Sequence, residues 1–417
     1  MLLVALLVLP SAGRANPEPV ALYDARSAAM GGTGIALLQN ASAAFHDPAA
    51  LGGLRGLSAV LTLTPMLAYV RAPFAPPGGT GPALEEDNEP TPAPLFFLGV
   101  AGRLSERWVA GLGAYVFSGI GSTFPRVRAL GDERMELGFA AGELSLPVAF
   151  RLAEGLHVGL AARLLYATQR TDVYDPTLLA RARQQLDGLS GPAFTLALHY
   201  QPRRDVRLAV VWRGRATIPL EGSTELRWPG SEPVDAPTRS SWTIPHALRL
   251  GGAWDLGRRW TLALETKVQW HRSANAESVY EVELPGLGVQ EQRVPLRWRN
   301  TVAYLAGLEY RPSDRLALRA GYGQATSATP PSTVSPFMPP PGLLHQATLG
   351  AGWRAGPYDV GLALALGVGQ ADVERANPNG AAGRYEVRAV FLSASIAYAS
   401  ASVERYSGRR QPAPVTQ

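Results

Sequence analysis

Hydrophobic positions in DVGLALALGVGQ, residues 359–370, recur with a period of two. Val360, Leu362, Leu364, Leu366 and Val368 share one face, and Gly361, Ala363, Ala365, Gly367 and Gly369 share the other. That period predicts a strand rather than a helix. The same alternation recurs in TLALETKVQW, where Thr261, Ala263, Glu265, Lys267 and Gln269 oppose Leu262, Leu264, Thr266, Val268 and Trp270. In AFTLALHY, Phe194, Leu196, Leu198 and Tyr200 oppose Thr195, Ala197 and His199. Bulky apolar side chains fill one face, and small or polar ones the other.

From residue 57 onward such segments are joined by connections of two kinds. Short ones fall at Ser105–Arg107, Glu154–Gly155, Pro202–Asp205, Leu256–Arg259, Pro312–Asp314 and Ala355–Pro357. Long polar or proline-rich ones fall near 72–93, 119–137, 170–190, 227–241, 272–297, 325–343 and 371–383. The two kinds alternate, and together they predict an all-β fold: a 14-stranded antiparallel transmembrane β-barrel with short turns at one rim and long loops at the other. Aromatics stand near both rims, as interface anchors do. Trp108, Tyr200, Trp254, Tyr310, Trp353 and Tyr358 lie beside the short turns, and Tyr69, Phe117, Tyr166, Trp228, Trp270 and Trp298 beside the long loops.

Composition narrows the function classes. Charged residues are 18% and hydrophobic ones 46%, which is low in charge for a water-soluble domain. Cysteine is absent, which removes thiol nucleophiles and cysteine metal sites. The net charge of +5 comes from scattered arginines, Lys267 being the only lysine, so no nucleic-acid patch forms. His46, His157, His199, His246, His271 and His345 lack metal-ligand spacing, and no nucleophile elbow occurs. No enzyme activity and no cofactor are expected.

Residues 1–15, MLLVALLVLPSAGRA, read as an export signal, with Gly13 and Ala15 as the small positions before cleavage. Residues 16–56 do not alternate; they are rich in Ala and Gly and precede a barrel with small inner faces, so they read as a plug in the lumen. Gly31, Gly32 and Gly34 suit a tight turn close to the wall, and they do not fit the dinucleotide pattern G-x-G-x-x-G. Residues 57–400 then form the barrel and 401–417 a C-terminal extension.

Arg26–Ser27, Met30–Gly31–Gly32, Gly34, Ala36, the Asn40–Ala41 turn and AAFHDPAAL resemble the N-terminal hatch of the long-chain fatty acid transporter family of outer membranes, which includes aromatic-hydrocarbon channels. GLGAYVFSGIGSTFP (111–125), LALHYQPRRDVRLAVVWRGRATIPLEG (196–222) and LRAGYGQATSATPPSTVSPFMPPPG (318–342) resemble, in turn, its third strand, its middle hairpin and a strand with a proline-rich loop. The resemblance implies an outer-membrane channel for passive uptake of hydrophobic molecules, above all long-chain fatty acids, released sideways into the membrane. Its partners would be fatty acids or other hydrophobic small molecules, outer-membrane lipid and the barrel assembly machinery, with the chain acting as a monomer. Where that hatch carries Asn-Pro-Ala at its constriction, this chain has Asp47, Pro48 and Ala49, which introduces a charge. The resembled family usually ends on an aromatic; here SASIAYAS is followed by further residues, so the assembly signal is either internal, near Tyr398, or unusual.

Three candidate sites follow. Arg163, Arg213, Arg215, Arg249, Lys267 and Arg319 fall on the inner face with Glu265 and Asp255, and such arginines either grip a ligand carboxylate or pair with acids of plug and wall. In DPTLLARARQQLDGL, Asp175 and Pro176 suit a helix start, and Leu178, Leu179, Ala182, Leu186 and Leu189 then share a face. That face either packs on a neighbouring loop or makes a capture groove with Phe337 and Met338. Gly111, Gly113, Gly119 and Gly121 either kink the third strand or relieve its curvature. Two rivals to a lipid channel remain: a non-transporting barrel that scaffolds surface or secreted proteins, and a general porin.

Overall fold

The structure, a computed structural model, describes residues 23–76, 81–90, 92–175 and 179–400, without the side chains of 117–120. The export signal and the C-terminal extension lie outside the described residues. The alternating segments form one closed antiparallel sheet of fourteen wall strands. They are β1 (Ser58–Phe74), β2 (Leu84–Asp87 with Ala93–Arg103), β3 (Trp108–Val127), β4 (Glu133–Ala153) and β5 (Leu156–Asp175). Next come β6 (Ala180–Leu189 with Ala193–Arg203), β7 (Val206–Arg213 with Ala216–Arg227) and β8 (Val234–Ile244 with Ala247–Leu256). After them come β9 (Trp260–Gln269 with Glu277–Leu284) and β10 (Gly288–Pro295 with Thr301–Tyr310). The ring ends with β11 (Leu316–Thr326), β12 (Leu343–Ala355), β13 (Tyr358–Val373) and β14 (Gly383–Ala399). Closure is made by β1, which pairs with β2 on one side and with β14 on the other.

Side-chain alternation sorts lipid from lumen as expected. Val360, Leu362, Leu364, Leu366 and Val368 are exposed on the outer wall, while Gly361, Ala363, Ala365 and Gly369 are buried. Trp108, Tyr200, Trp353 and Tyr358 are exposed at the short-turn rim, Tyr69 and Tyr166 at the upper edge of the apolar belt. Trp298 departs from this pattern: it is buried inside, against Leu296, Ala328 and Met338. Tyr304 and Tyr322 are the exposed aromatics that continue the upper girdle.

The long-loop rim differs more. Four segments expected to be loops, near 119–137, 170–190, 227–241 and 272–297, are largely strand: β3 and β4 are joined by the turn at 128–132, β7 and β8 by 228–233, β9 and β10 by 285–287, and 180–189 belongs to β6. Of the helix expected over 175–189, residues 180–189 are instead the first half of β6, so Ala182, Leu186 and Leu189 share no helical face, and Leu178 lies outside the described residues. At roughly 3.3 Å per residue, the 21 residues of β4 exceed what a tilted membrane strand needs, so its upper half stands above the bilayer. The outward residues there are charged: register places Glu136, Asp172, Arg183, Glu225 and Asp235 in one row across five strands.

The five strands β6–β10 are each interrupted near the top of the apolar belt, and the interruption shifts the inward phase by one residue. In β6 the inward positions are Ala182, Gln184 and Leu186 above the break but Thr195, Ala197 and His199 below it. In β7 they are Arg207, Ala209, Val211 and Arg213 below, then Ala216, Ile218 and Leu220 above. Arg215, expected to face inward, is therefore exposed. Backbone groups freed at the breaks find local partners. Arg163 donates to the Gly214 carbonyl at 2.6 Å, and the Ser190 hydroxyl accepts the Leu165 N–H at 3.0 Å.

Inside the lower barrel, residues 23–54 form a plug with two short helices, α1 (Ala25–Ala29) and α2 (Ala43–His46), and a 3-10 turn, Pro48–Gly53. The plug is almost wholly buried. The small inner faces of the wall are now explained: a Cβ on Gly321 would lie 2.0 Å from Gly31 N, and one on Gly159 would lie 2.2 Å from Ala49 N. The plug backbone runs directly against wall glycines.

Candidate functional site

The plug is held by polar anchors spaced along its length. At its start, Asp24 caps α1 by accepting the Arg26 N–H at 2.7 Å, and it also accepts from Asn40 and Ser42. The Arg26 guanidinium then grips Glu309 of β10 with two bonds, Nε to Oε2 at 2.8 Å and Nη2 to Oε1 at 3.0 Å. Arg319 of β11 donates to the same carboxylate at 2.7 Å, and Arg311 also pairs with it. One fully buried glutamate thus collects three arginines, one from the plug and two from the wall.

Further along, Gly31 and Gly32 take φ of 70° and 86°, a left-handed turn that glycine adopts without strain. Thr348 of β12 accepts the Gly31 N–H and donates to Ala29 O, both at 2.9 Å. Glu265 of β9 accepts the N–H groups of Gly34 at 2.9 Å and Ile35 at 3.3 Å, while Arg249 of β8 donates to it at 2.6 Å. Asp47 caps the 3-10 turn by accepting the Ala49 N–H at 3.0 Å and lies 2.8 Å from His199 Nδ1 of β6. The charge in the Asp47–Pro48–Ala49 stretch is therefore buried and partnered by the wall. Beside it, His46 is fully buried, and neither ring nitrogen has a hydrogen-bond partner among the described residues. Burial, then the nearby Arg249 and Arg213, hold its pKa well below the usual 6.5.

A third hub lies above the plug. Glu143 of β4 accepts from Arg163 at 3.1 Å, from Arg213 at 2.8 Å and from the Tyr115 hydroxyl. Arg213 stacks 4.6 Å from the centre of the Phe45 ring of the plug. Apart from the exposed Arg215, the expected inner-face arginines are inside and each is paired with a protein carboxylate: Arg163 and Arg213 with Glu143, Arg249 with Glu265, Arg319 with Glu309. Lys267 stands beside Arg249 in the register, buried. These residues make three separate clusters; of the acids that organise them, Glu265 was expected on the inner face, and Glu143 and Glu309 were not. The signal for Glu143 and Glu309 was a lone carboxylate on the inner phase of an otherwise apolar strand.

Above the Glu143 hub the lumen changes character. Phe124, Met135, Leu137, Phe139, Leu165, Leu186, Ile218, Leu220, Trp242, Tyr280, Val334, Phe337 and Tyr385 form one apolar cluster that continues down to Phe97, Tyr115, Phe45 and Tyr23. Its polar members are neutral: Gln169 donates to Gln184 at 3.1 Å, Gln184 to Thr224 at 3.1 Å, and Thr224 meets Thr238 at 2.8 Å. The mouth is filled by residues 327–342, where Phe337 and Met338 are buried rather than lining an outer groove. Leu186 also points inward, Leu179 is exposed, and Leu178 lies outside the described residues, so these residues build no groove together.

Within the apolar belt the wall ladder is interrupted between β2 and β3. The β2–β3 ladder runs from Arg103↔Val109 to Phe97↔Tyr115 and resumes only as the isolated bridge Glu89↔Thr123. The register of β3 against β4 slips between Val116 and Ser118 in the same interval. Gly111 and Gly113 do not break the ladder, since both sit in its paired part; a Cβ on Gly111 would lie 2.7 Å from Val100 O. Gly119 pairs with Ala140 of β4 just beyond the slip.

A sequence profile of the family described as outer membrane protein transport protein (OMPP1/FadL/TodX) matches residues 20–399. The chain belongs to that family. Among solved structures it is similar to a FadL homologue of Pseudomonas aeruginosa, with TM-score 0.76 and 18% identity over 91% of this chain and 99% of that one. The toluene transporter TodX of P. putida gives TM-score 0.73 and 16% identity over 90% and 98%. The toluene transporter TbuX of Ralstonia pickettii gives TM-score 0.72 and 16% identity over 90% and 98%. At such identities the likeness carries the fold. No curated protein sequence matches the chain.

Proposed function

We propose that this member of the outer-membrane transport family takes up hydrophobic small molecules by diffusion, down the apolar column and out sideways through the wall between β2 and β3. The observation that carries this reading is the continuity of the apolar cluster from Phe337 at the mouth to Phe97 and Tyr115 at the foot of the unpaired wall. A greasy solute gains contact along that column and leaves it for acyl chains without crossing the plug. Uncharged solutes fit best, because the inner-face arginines already face protein carboxylates and the upper polar groups are neutral. In this reading the working unit is one chain, exported by its N-terminal signal and folded by the barrel assembly machinery.

Long-chain fatty acids are the second reading, favoured by the Glu143 hub. Two guanidiniums against one carboxylate leave that hub cationic, at the depth where an acyl chain in the column would place a headgroup. Uptake of labelled toluene and labelled oleate by cells lacking their own channels, with and without this protein, tests both. Faster toluene uptake supports the first reading, and oleate uptake lost in Arg213→Gln supports the second. Neither uptake, together with ready ion conductance in planar bilayers, would make the chain a porin. Neither uptake with a sealed pore would leave the scaffold role.

A further inference from the structure

We propose that the ring of Phe337 occupies the outer ligand site of the channel, and that an uncharged molecule with a single aromatic ring binds there by taking its place. The inference rests on the transport reading and adds to it a site, an occupant and a means of access.

Residues 327–342 contain six prolines and form turns, not strand. Proline has no N–H to strand, so this segment enters an apolar chamber with few orphan donors. It is attached to the rim by the Arg299 N–H, which donates to Ala328 O at 2.8 Å, by the Thr333 hydroxyl, which donates to Leu296 O, and by polar side chains of the β13–β14 loop. Asn379 Nδ2 donates to Pro295 O at 2.8 Å and to Thr333 O at 2.9 Å, and Asn377 Nδ2 donates to Pro331 O at 3.3 Å. The segment thus has a hydrogen-bonded base and an apolar tip, a division suited to a tip that withdraws while the base stays tied.

The tip is what points to a ligand. The Phe337 ring stands edge-on to Phe124, with centroids 5.6 Å apart and planes at 80°, and Phe124 stands edge-on to Phe74 at 5.0 Å and 72°. Such geometry matches the negative face of one ring to the positive edge of the next, which selects an aromatic guest over a saturated one of equal size. Phe124 follows Thr123, which forms the isolated bridge with Glu89 at the upper margin of the unpaired wall. A guest in the place of Phe337 is therefore already at the head of the sideways exit. An uncharged guest fits best: the polar groups of the same apolar cluster, Gln169, Gln184, Thr224 and Thr238, form a neutral chain, and the carboxylate near Phe74, Glu86, is already paired with Arg128.

Five methionines make the test direct: the full-length protein in detergent micelles carries 13C-methyl methionine, and toluene is titrated. Met338 lies in the tip, Met135 in the chamber and Met30 in the plug. In the wild type, saturable shifts of Met338 and Met135 with Met30 unmoved are expected. Phe337→Ala removes the internal competitor and tightens the apparent affinity about tenfold, while Phe124→Ala weakens it. Because any phenylalanine truncation opens a hole that toluene can fill, the wild-type shift of Met338 decides. Toluene uptake by cells with Met338 unmoved in the micelle titration overturns the site and leaves the transport reading standing; absence of both removes both.

Discussion

The two halves of the lumen are closed by opposite means. Below, the plug is fixed by a few buried carboxylates, Glu309, Glu265 and Asp47, each serving groups from plug and wall. Above, the mouth segment is fixed through Phe337 and Val334 by contact in an apolar cluster, with neutral hydrogen bonds at its base. The difference lies in what can replace the closure. A buried ion pair is satisfied only by its own partner, and removing one member leaves an uncompensated charge, at a cost of about 3–5 kcal/mol. An apolar side chain in an apolar cluster is replaceable by any apolar molecule of similar shape. The lower closure is built to stay, and the upper one is built to exchange with cargo.

If the closures act in series, removing either alone leaves ions blocked by the other. Glu309→Gln leaves Arg26, Arg311 and Arg319 without their shared carboxylate and frees the start of the plug. Phe337→Ala loosens only the mouth. Planar-bilayer conductance is therefore expected near zero for each single variant and porin-like for the double variant. Conductance in Phe337→Ala alone would show that the plug does not seal. Hydrogen exchange separates the halves further: Glu309→Gln lowers protection of residues 23–54 by about 3–5 kcal/mol, while leaving the amides of β12 and β13 unchanged.

The lower half was the legible one. In β13 and the first segment of β9 the alternation keeps one phase from turn to belt, so lipid and lumen faces were readable residue by residue. The upper half was obscured by the phase slips at 190–192, 214–215, 245–246, 270–276 and 296–300. A period-two reading loses the strand at each slip, so strand extensions looked like long loops. It also left Arg215 on the wrong face. In 180–189 the apolar Ala182 and Leu186 are four apart, a spacing that a helix and a strand share, and only pairing with β5 and β7 decides. The arginines of the site were visible from phase alone. Their role was not, because alternation does not say which acid faces them: Glu309 lies across a hairpin from Arg319 but also takes Arg26 of the plug, and Glu143 takes Arg213 from three strands further along the chain.

A smaller effect comes from His46, whose ring is buried at the centre of the plug near Arg213 and Arg249. Docking holds its pKa well below 6.5, so a released plug binds the proton more readily than a docked one. The docked state is thus fully favoured above the free value of about 6.5 and loses about 1.4 kcal/mol for each pH unit below it, until the docked value is reached. Hydrogen exchange on 23–54 at pH 7 and pH 5 should show this loss, and His46→Asn should flatten it.

The mildest test exchanges Asp47 for the residue that the resembled hatch carries. Asp47→Asn keeps an oxygen for the Ala49 N–H and keeps Pro48 in the first position of the turn, so the local fold is retained. What changes is the contact with His199 Nδ1, from a carboxylate to an amide. The amide offers that nitrogen an acceptor or a donor by rotation, and the imidazole can shift tautomer to suit. The expected loss is about 1 kcal/mol or less, well below that of Glu309→Gln. Asp47→Leu removes both bonds and leaves the Ala49 N–H and His199 buried without partners, so its loss should exceed that of the asparagine by about 1–3 kcal/mol. Plug protection ranked wild type, then asparagine, then leucine would mean that Asp47 acts through hydrogen bonding, with its charge secondary. Equal losses for both variants would make the charge itself the fastening, and the lower closure would then be ionic along its whole length.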